Sequence, residues 1–227
     1  MPNKVFSSIV GNNADLIYEV AKLYLRPGDR IADVTYGKGV FWRKIDTSKY
    51  EMFVSDLLTV PERLYDFRNL PYSDNYFDVV VLDPPYSHNP GYMIVDANYH
   101  NRETTKGFYH DDIIRLYRDG IIEAYRVLKP GGLLWVKCKD EIESGIQRMS
   151  HTDVRICAED VGFFIQDFFV MVQSRRPVVQ HHRQLHARKN HSYLWIFKKP
   201  TSAAEAKKHK KATVQYSIRH YCRGKAI

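Results

Sequence analysis

Short apolar runs recur along this chain, each halted by a polar or glycine-bearing turn and followed by helical spacing, and that alternation restricts the fold more than any other feature. Residues 30–34 run into Thr35-Tyr36-Gly37-Lys38-Gly39, and strand-like runs recur at 52–55, 76–82 and 133–138. Helical stretches are predicted at 40–45, 60–65, 112–128 and 153–161. Ahead of these, Asn12 and Asn13 are candidate caps for a helix carrying Leu16, Ile17, Val20, Leu23 and Tyr24, stopped by Pro27 and Gly28. Pro130-Gly131-Gly132 turns the chain into 133–138, and two aromatic-rich strands at 163–173 and 192–198 are expected to pair as an antiparallel edge. Continuously apolar strands separated by helices predict an α/β fold, a mostly parallel sheet covered on both faces.

With 227 residues, 44% of them hydrophobic, the chain can bury one sizeable core. We expect one domain over 1–199 and a mobile basic tail over 200–227, where Lys207, Lys208, Lys210, Lys211, Arg219, Arg223 and Lys225 collect. A formal net charge of +8 points to an anionic partner, nucleic acid first. The three cysteines are too scattered for a disulfide framework or a zinc site and suit a reducing cytoplasm. The start of the chain lacks the pattern of a signal peptide, and the apolar runs fall far short of the roughly 20 residues of a membrane helix, so a soluble, cytoplasmic protein is expected. Monomer and homodimer both stay open.

Asp83-Pro84-Pro85-Tyr86 follows directly on the run 79–82, where an open α/β sheet binds ligands at the carboxyl ends of its strands. Such residues suit methylation of an aromatic amine, whose lone pair is delocalised into the ring. The Asp83 carboxylate and a carbonyl near Pro84 can accept the two amine hydrogens and localise that pair, the paired prolines stiffen the acceptors, and Tyr86 can stack on the base. Pro-Pro is also an ordinary way to end a strand. In Asp33-Val34-Thr35-Tyr36-Gly37-Lys38-Gly39 the glycines let backbone approach a ligand at a strand-to-helix turn, although such turns also serve structure alone or other nucleotides. Asp56 ends the next strand about where an acid grasps ribose hydroxyls in dinucleotide folds, or else caps a helix near Val60.

Asp33, Gly37, Gly39, Asp56, Asp66 and Asp83 to Tyr86, in this order, resemble the amino-methyltransferases of DNA, and Arg126 to Gly132 and Tyr193 to Phe197 resemble the fifth-strand region and terminal strand of class I methyltransferases. Over residues 5 to 199 the chain is similar to small phage-type modification methylases. The resemblance implies a Rossmann-like, seven-stranded sheet with an antiparallel edge strand, S-adenosylmethionine as cofactor, and direct methyl transfer to adenine N6 in DNA. Cytosine N4, or a base amine in RNA, are the near alternatives. It implies that Asp33 and the turn Thr35, Tyr36, Gly37 and Gly39 face the methionine end of the cofactor. Asp56 would bind its ribose, Asp66 and the Phe67 backbone its adenine, and Asp83, Pro84, Pro85 and Tyr86 the target base. No metal is implied. Thr35 departs from the family's usual phenylalanine.

No separate recognition domain is visible. The aperiodic residues 87–109 and the acid-free segment 174–191 are what remain to read DNA. Arg175, Arg176, Arg183, Arg188 and Lys189 suit phosphate contacts, or a solvated hairpin. His181, His182 and His186 lack a fourth ligand for a metal. A nucleic-acid binder on a decayed methyltransferase fold and a small-molecule methyltransferase are rival readings. Intact Asp83 and Asp56 weigh against the first, and the excess of lysine and arginine against the second.

Overall fold

The computed structural model describes residues 4–57, 59–85, 109–174 and 184–215. Its strands are β1 (Ser8–Gly11), β2 (Arg30–Asp33), β3 (Glu51–Val54), β4 (Phe77–Leu82), β5 (Leu128–Cys138), β6 (Glu141–Glu143), β7 (Ile146–Arg148), β8 (Phe164–Gln173) and β9 (His191–Lys198). Its helices are α1 (Asn13–Tyr24), α2 (His110–Val127), α3 (Ser150–Val161) and α4 (Ala203–Gln215). Asn12 is the cap of α1: its side chain accepts from the N–H groups of Ala14 and Asp15, and the Asp15 carboxylate accepts the Asn12 N–H at 2.9 Å.

Seven strands form one sheet in the order β1-β8-β9-β5-β4-β2-β3. All neighbours run parallel except β9, which is antiparallel to both β5 and β8. The expected antiparallel pair is therefore β8 and β9, and β1, a strand the sequence reading left out, lies parallel beyond β8. From β2 the chain moves to the β3 edge, whereas from β4 it moves the other way to β5. The order thus reverses between β2 and β4, which makes their carboxyl ends the crevice of an open α/β sheet. The mostly parallel sheet with helices on both faces is as expected.

One face of the sheet is covered by α2 and α3, whose Tyr117, Ile121, Val154 and Ala158 pack with Val80, Leu82, Leu134 and Val136. The other face meets α1 and a short 3-10 turn, Val40–Trp42, with Leu16, Ile17, Val20, Phe41 and Trp42 against Val79, Val81, Trp135 and Leu194. Two predicted helices differ. Only that 3-10 turn forms within 40–45, and residues 60–65 are turn and coil, because the Arg63 N–H returns to the Val60 carbonyl and the Asp56 N–H bonds the Arg63 carbonyl. Pro130-Gly131-Gly132 makes a bulge: Phe77 pairs with Leu128, yet Val79 already pairs with Leu133, and Gly131 takes φ +85°.

The tail expected to be mobile begins with α4. Thr201 donates to Glu205 through both backbone N–H and hydroxyl, Lys198 bonds the same carboxylate at 3.2 Å, and the His209 ring stacks on Phe164 at 3.7 Å. Just before it, Lys199 is 8% exposed and its ammonium donates to Asn75 Oδ1, the Tyr125 carbonyl and the Leu128 carbonyl at 2.7–2.9 Å. A cation there binds carbonyls left open at the end of α2. Replacing Lys199 with Met strands those acceptors and is expected to lower stability by about 1–3 kcal/mol. Urea unfolding measures it, and an unchanged midpoint refutes the clamp.

Candidate active site

Hydrogen bonds between the loops that leave β2, β3 and β4 draw three acidic residues to one end of the sheet. The Asp33 carboxylate, 3% exposed, accepts the Thr35 N–H at 3.2 Å and the Trp42 indole N–H at 2.7 Å. The Tyr36 N–H bonds the Ser55 carbonyl, and the Gly37 N–H bonds Asp56 Oδ2 at 3.1 Å, while Asp56 Oδ1 accepts from Thr59. The Asp83 N–H donates to the Thr35 hydroxyl at 2.7 Å. The glycine turn, Asp56 and Asp83 therefore form one connected group. Thr35, the departure from the usual phenylalanine, supplies the link between the turn and Asp83.

The turn needs its glycines. Gly39 has φ +64°, and a Cβ there would lie 2.5 Å from the Tyr36 hydroxyl, so only glycine lets the Tyr36 ring fold over the turn.

Burial dominates the electrostatics. It pushes the Asp33 carboxyl up to about 7, against the pull of the Trp42 and Thr35 hydrogen bonds and with help from the negative charges of Asp83 and Asp56. Burial likewise pushes the Asp83 carboxyl above its ordinary range, with Lys137 pulling the other way. Asp83 Oδ1 is buried and has no hydrogen-bond partner among the described residues, and Pro84 beside it is buried. Of the buried side-chain atoms without a partner among the described residues, Asp83 Oδ1 is the one carboxylate oxygen, an acceptor open to a donor.

Asp66 and Phe67 are held by contacts of their own. The Arg68 guanidinium grips Asp66 at 2.6–3.0 Å and holds its carboxyl below the usual range. The Phe67 ring is buried over α2, where a Cβ on Gly120 would approach it to 2.8 Å. Arg188 and Lys189 are half-buried just before β9, whose antiparallel pairing of Tyr193 with Cys138 sets its start at the carboxyl end of β5. Tyr86, Arg175, Arg176 and Arg183 lie outside the described residues. No cluster of His, Cys, Asp and Glu among the described residues suits a metal.

Sequence reading missed Trp42 as the partner of Asp33, and it missed Lys137. The second had a signal: a lysine at an inward position of the apolar run Leu133-Leu134-Trp135-Val136-Lys137-Cys138.

The raised Asp33 carboxyl makes a pH prediction. Between the ordinary carboxyl value of 3.8 and about 7 the folded chain holds a proton there that the unfolded chain releases, so this residue's contribution to stability falls as pH rises through that window. The slope is at most about 1.4 kcal/mol per pH unit. Asp33→Asn is expected to flatten it in urea titrations between pH 5 and 8, and an unaltered slope refutes the assignment.

Residues 77–225 match the family model N6_N4_Mtase, described as DNA methylase. No curated protein matches the chain in sequence. Among solved structures, a protein from Bacillus halodurans assigned provisionally as a methyltransferase superposes with a TM-score of 0.55 at 15% identity, over 84% of this chain and 100% of that one. A protein from Methanosarcina mazei described as an S-adenosylmethionine-dependent methyltransferase gives 0.50 at 15% identity, over 81% and 98%. The [4+2]-cyclase SpnF gives 0.51 at 16%, over 83% and 81%. These likenesses are of fold, and the cyclase among them means that the reaction has to be argued from the site. The family match takes in β4 of the crevice and spans most of the chain: the protein belongs to the N6/N4 DNA methylases.

Proposed function

We propose that this protein transfers a methyl group from S-adenosylmethionine to an exocyclic base amine in DNA, adenine N6 in first place. The observation that carries this reading is the buried, unmatched Asp83 Oδ1 at the carboxyl end of β4, followed by Pro84 and joined to the glycine turn through Thr35.

The groups present fit the cofactor. The backbone of Thr35 to Gly39 lines a strand-to-helix turn, and the Asp56 carboxylate, which accepts the Gly37 and Thr59 N–H groups, stands beside that turn as an acceptor for a ribose hydroxyl. Asp33 organises this turn from beneath through Thr35 and Trp42. The cofactor supplies an electrophilic methyl on a sulfonium. Asp83 Oδ1 accepts one hydrogen of the target amine and the Pro84 carbonyl the other, drawing the nitrogen out of conjugation so that its lone pair faces the methyl group. Burial makes that carboxylate a stronger acceptor than it is in water, and the contact strengthens as the nitrogen becomes positive. The base leaves the helix stack to reach this depth.

The duplex meets a rim of positive charge in this reading. Arg188 and Lys189 stand beside the start of β9, at the same end of the sheet as Asp83, and Arg175, Arg176 and Arg183 belong to the same basic segment. No described helix is long and apolar enough to cross a membrane.

Three experiments test the proposal. The protein is incubated with tritiated S-adenosylmethionine and duplex DNA, single-stranded DNA or RNA, and the labelled nucleoside is identified. Label in N6-methyladenine from DNA supports the reading, N4-methylcytosine changes the base, and label confined to RNA overturns the DNA assignment. Asp83→Ala is expected to abolish transfer while leaving cofactor affinity within about threefold, because its partner is the base, and loss of cofactor binding refutes that role. Separately, the double substitution Arg188→Glu and Lys189→Glu is expected to weaken DNA binding and to lower the slope of log K against log salt by roughly two. An equal slope removes both residues from the interface.

A further inference from the structure

Lys137 is 1% exposed, among the most buried side chains of the described residues, and it lies in the middle of the sheet. In the parallel pairing of β4 with β5, Leu82 stands opposite Val136, so the next residues, Asp83 and Lys137, are neighbours across the two strands. On its other side Lys137 pairs with Leu194 of β9. Strand alternation sets Lys137 on the face of Trp135, Val81 and Leu194, the apolar face covered by α1 and the 3-10 turn. Lysine is almost never fully buried unless a negative charge repays the loss of water.

Several charged and titratable groups among the described residues lie around it. Asp83 comes from β4, Asp33 from the end of β2 on the same face, and Cys138, Lys139 and Asp140 continue from β5. The side chains of α1 and the 3-10 turn packed into this face, Leu16, Ile17, Val20, Phe41 and Trp42, carry no charge. Burial pushes the Lys137 ammonium down and the Asp83 carboxyl up from their ordinary values, and in each the charge of the other pulls the opposite way.

We propose that Lys137 is a positioning residue whose ammonium, one strand away, keeps the Asp83 carboxylate ionised in its buried setting while leaving Oδ1 open for the substrate amine. The inference rests on the amine-acceptor role given to Asp83. A protonated Asp83 would offer the amine a hydrogen where an acceptor is needed, and burial favours that unproductive form. A cation at Lys137 opposes it. It does so without occupying Oδ1, which remains unmatched. Acting through the low-dielectric interior, the charge does its work at a distance.

The test follows Asp83 itself and then the reaction. In protein carrying aspartate labelled with carbon-13 at the carboxyl, the Asp83 signal is assigned with Asp83→Asn and titrated in the wild type, Lys137→Met and Lys137→Arg. Lys137→Met is expected to raise the Asp83 midpoint by at least about one pH unit, which is a tenfold change in the ionised ratio. Its kcat on duplex DNA should fall about tenfold or more at pH 7 with KM changed less than about twofold, and should recover as pH rises. In an Asp83→Asn background the same substitution should add less than about a twofold loss, because the group that Lys137 serves is gone. An Asp83 midpoint unchanged by Lys137→Met overturns the proposal, as does a loss of kcat equal at every pH. If Lys137→Met fails to fold by circular dichroism, Lys137→Arg decides: it keeps the charge, so its Asp83 midpoint must not rise, and a rise overturns the idea. A wild type inactive on every nucleic acid would defeat the methylation reading alone, since the carboxyl titration reads Lys137 independently of turnover.

Discussion

Where β2 and β4 lie side by side the chain departs in opposite directions, and the hydrogen bond from the Asp83 N–H to the Thr35 hydroxyl spans that divide. Everything proposed for the site leans on it. The bond fixes the height of Asp83 relative to the glycine turn, so that a group bound by the turn and a group bound by Asp83 meet at a set separation. It is also one side chain deep, and backbone pairing alone does not provide it: Val34 N–H to Val81 carbonyl is the last main-chain contact of the two strands before they part.

The molecule holds several charged side chains wholly or partly out of water, and each is answered in a different way. Asp33 is answered by two N–H donors, Lys199 by two carbonyls and an amide oxygen, and Asp66 by a guanidinium fork. Asp83 alone of these keeps a buried oxygen without a partner. In the proposed reaction the contrast separates residues that build the site from the one that meets the substrate, because an unmatched buried acceptor adds nothing to stability.

Much of this was legible in the residues. The cap at Asn12, the strands at 52–55 and 76–82 and the long α2 follow from local spacing and capping chemistry, which act within a few residues. The strand ends bearing Asp33, Asp56 and Asp83 were legible for the same reason. What stayed hidden depends on distant partners. β1 is four residues with an exposed face and forms only because β8 is beside it. Residues 60–65 carry helical spacing, but a turn closed by Asp56 and Val60 overrides it. Thr35 looked like a weakness of the motif until its hydroxyl met a strand 48 residues away. Lys137 went unremarked at the end of an apolar run, since no local rule tells a stray cation from one opposite an acid.

The antiparallel strand β9 has a consequence for how the chain is made. It sits between β5 and β8, so that β8, and β1 beyond it, join the sheet only through β9. β1, which precedes the other strands of this sheet in the chain, is therefore the outermost of a row that stays open until residues near 198 have emerged. Until then β2 to β5 can assemble the crevice while β5 presents a bare edge. The strand order thus lets the part of the sheet that bears the crevice form before the edge beside it is sealed.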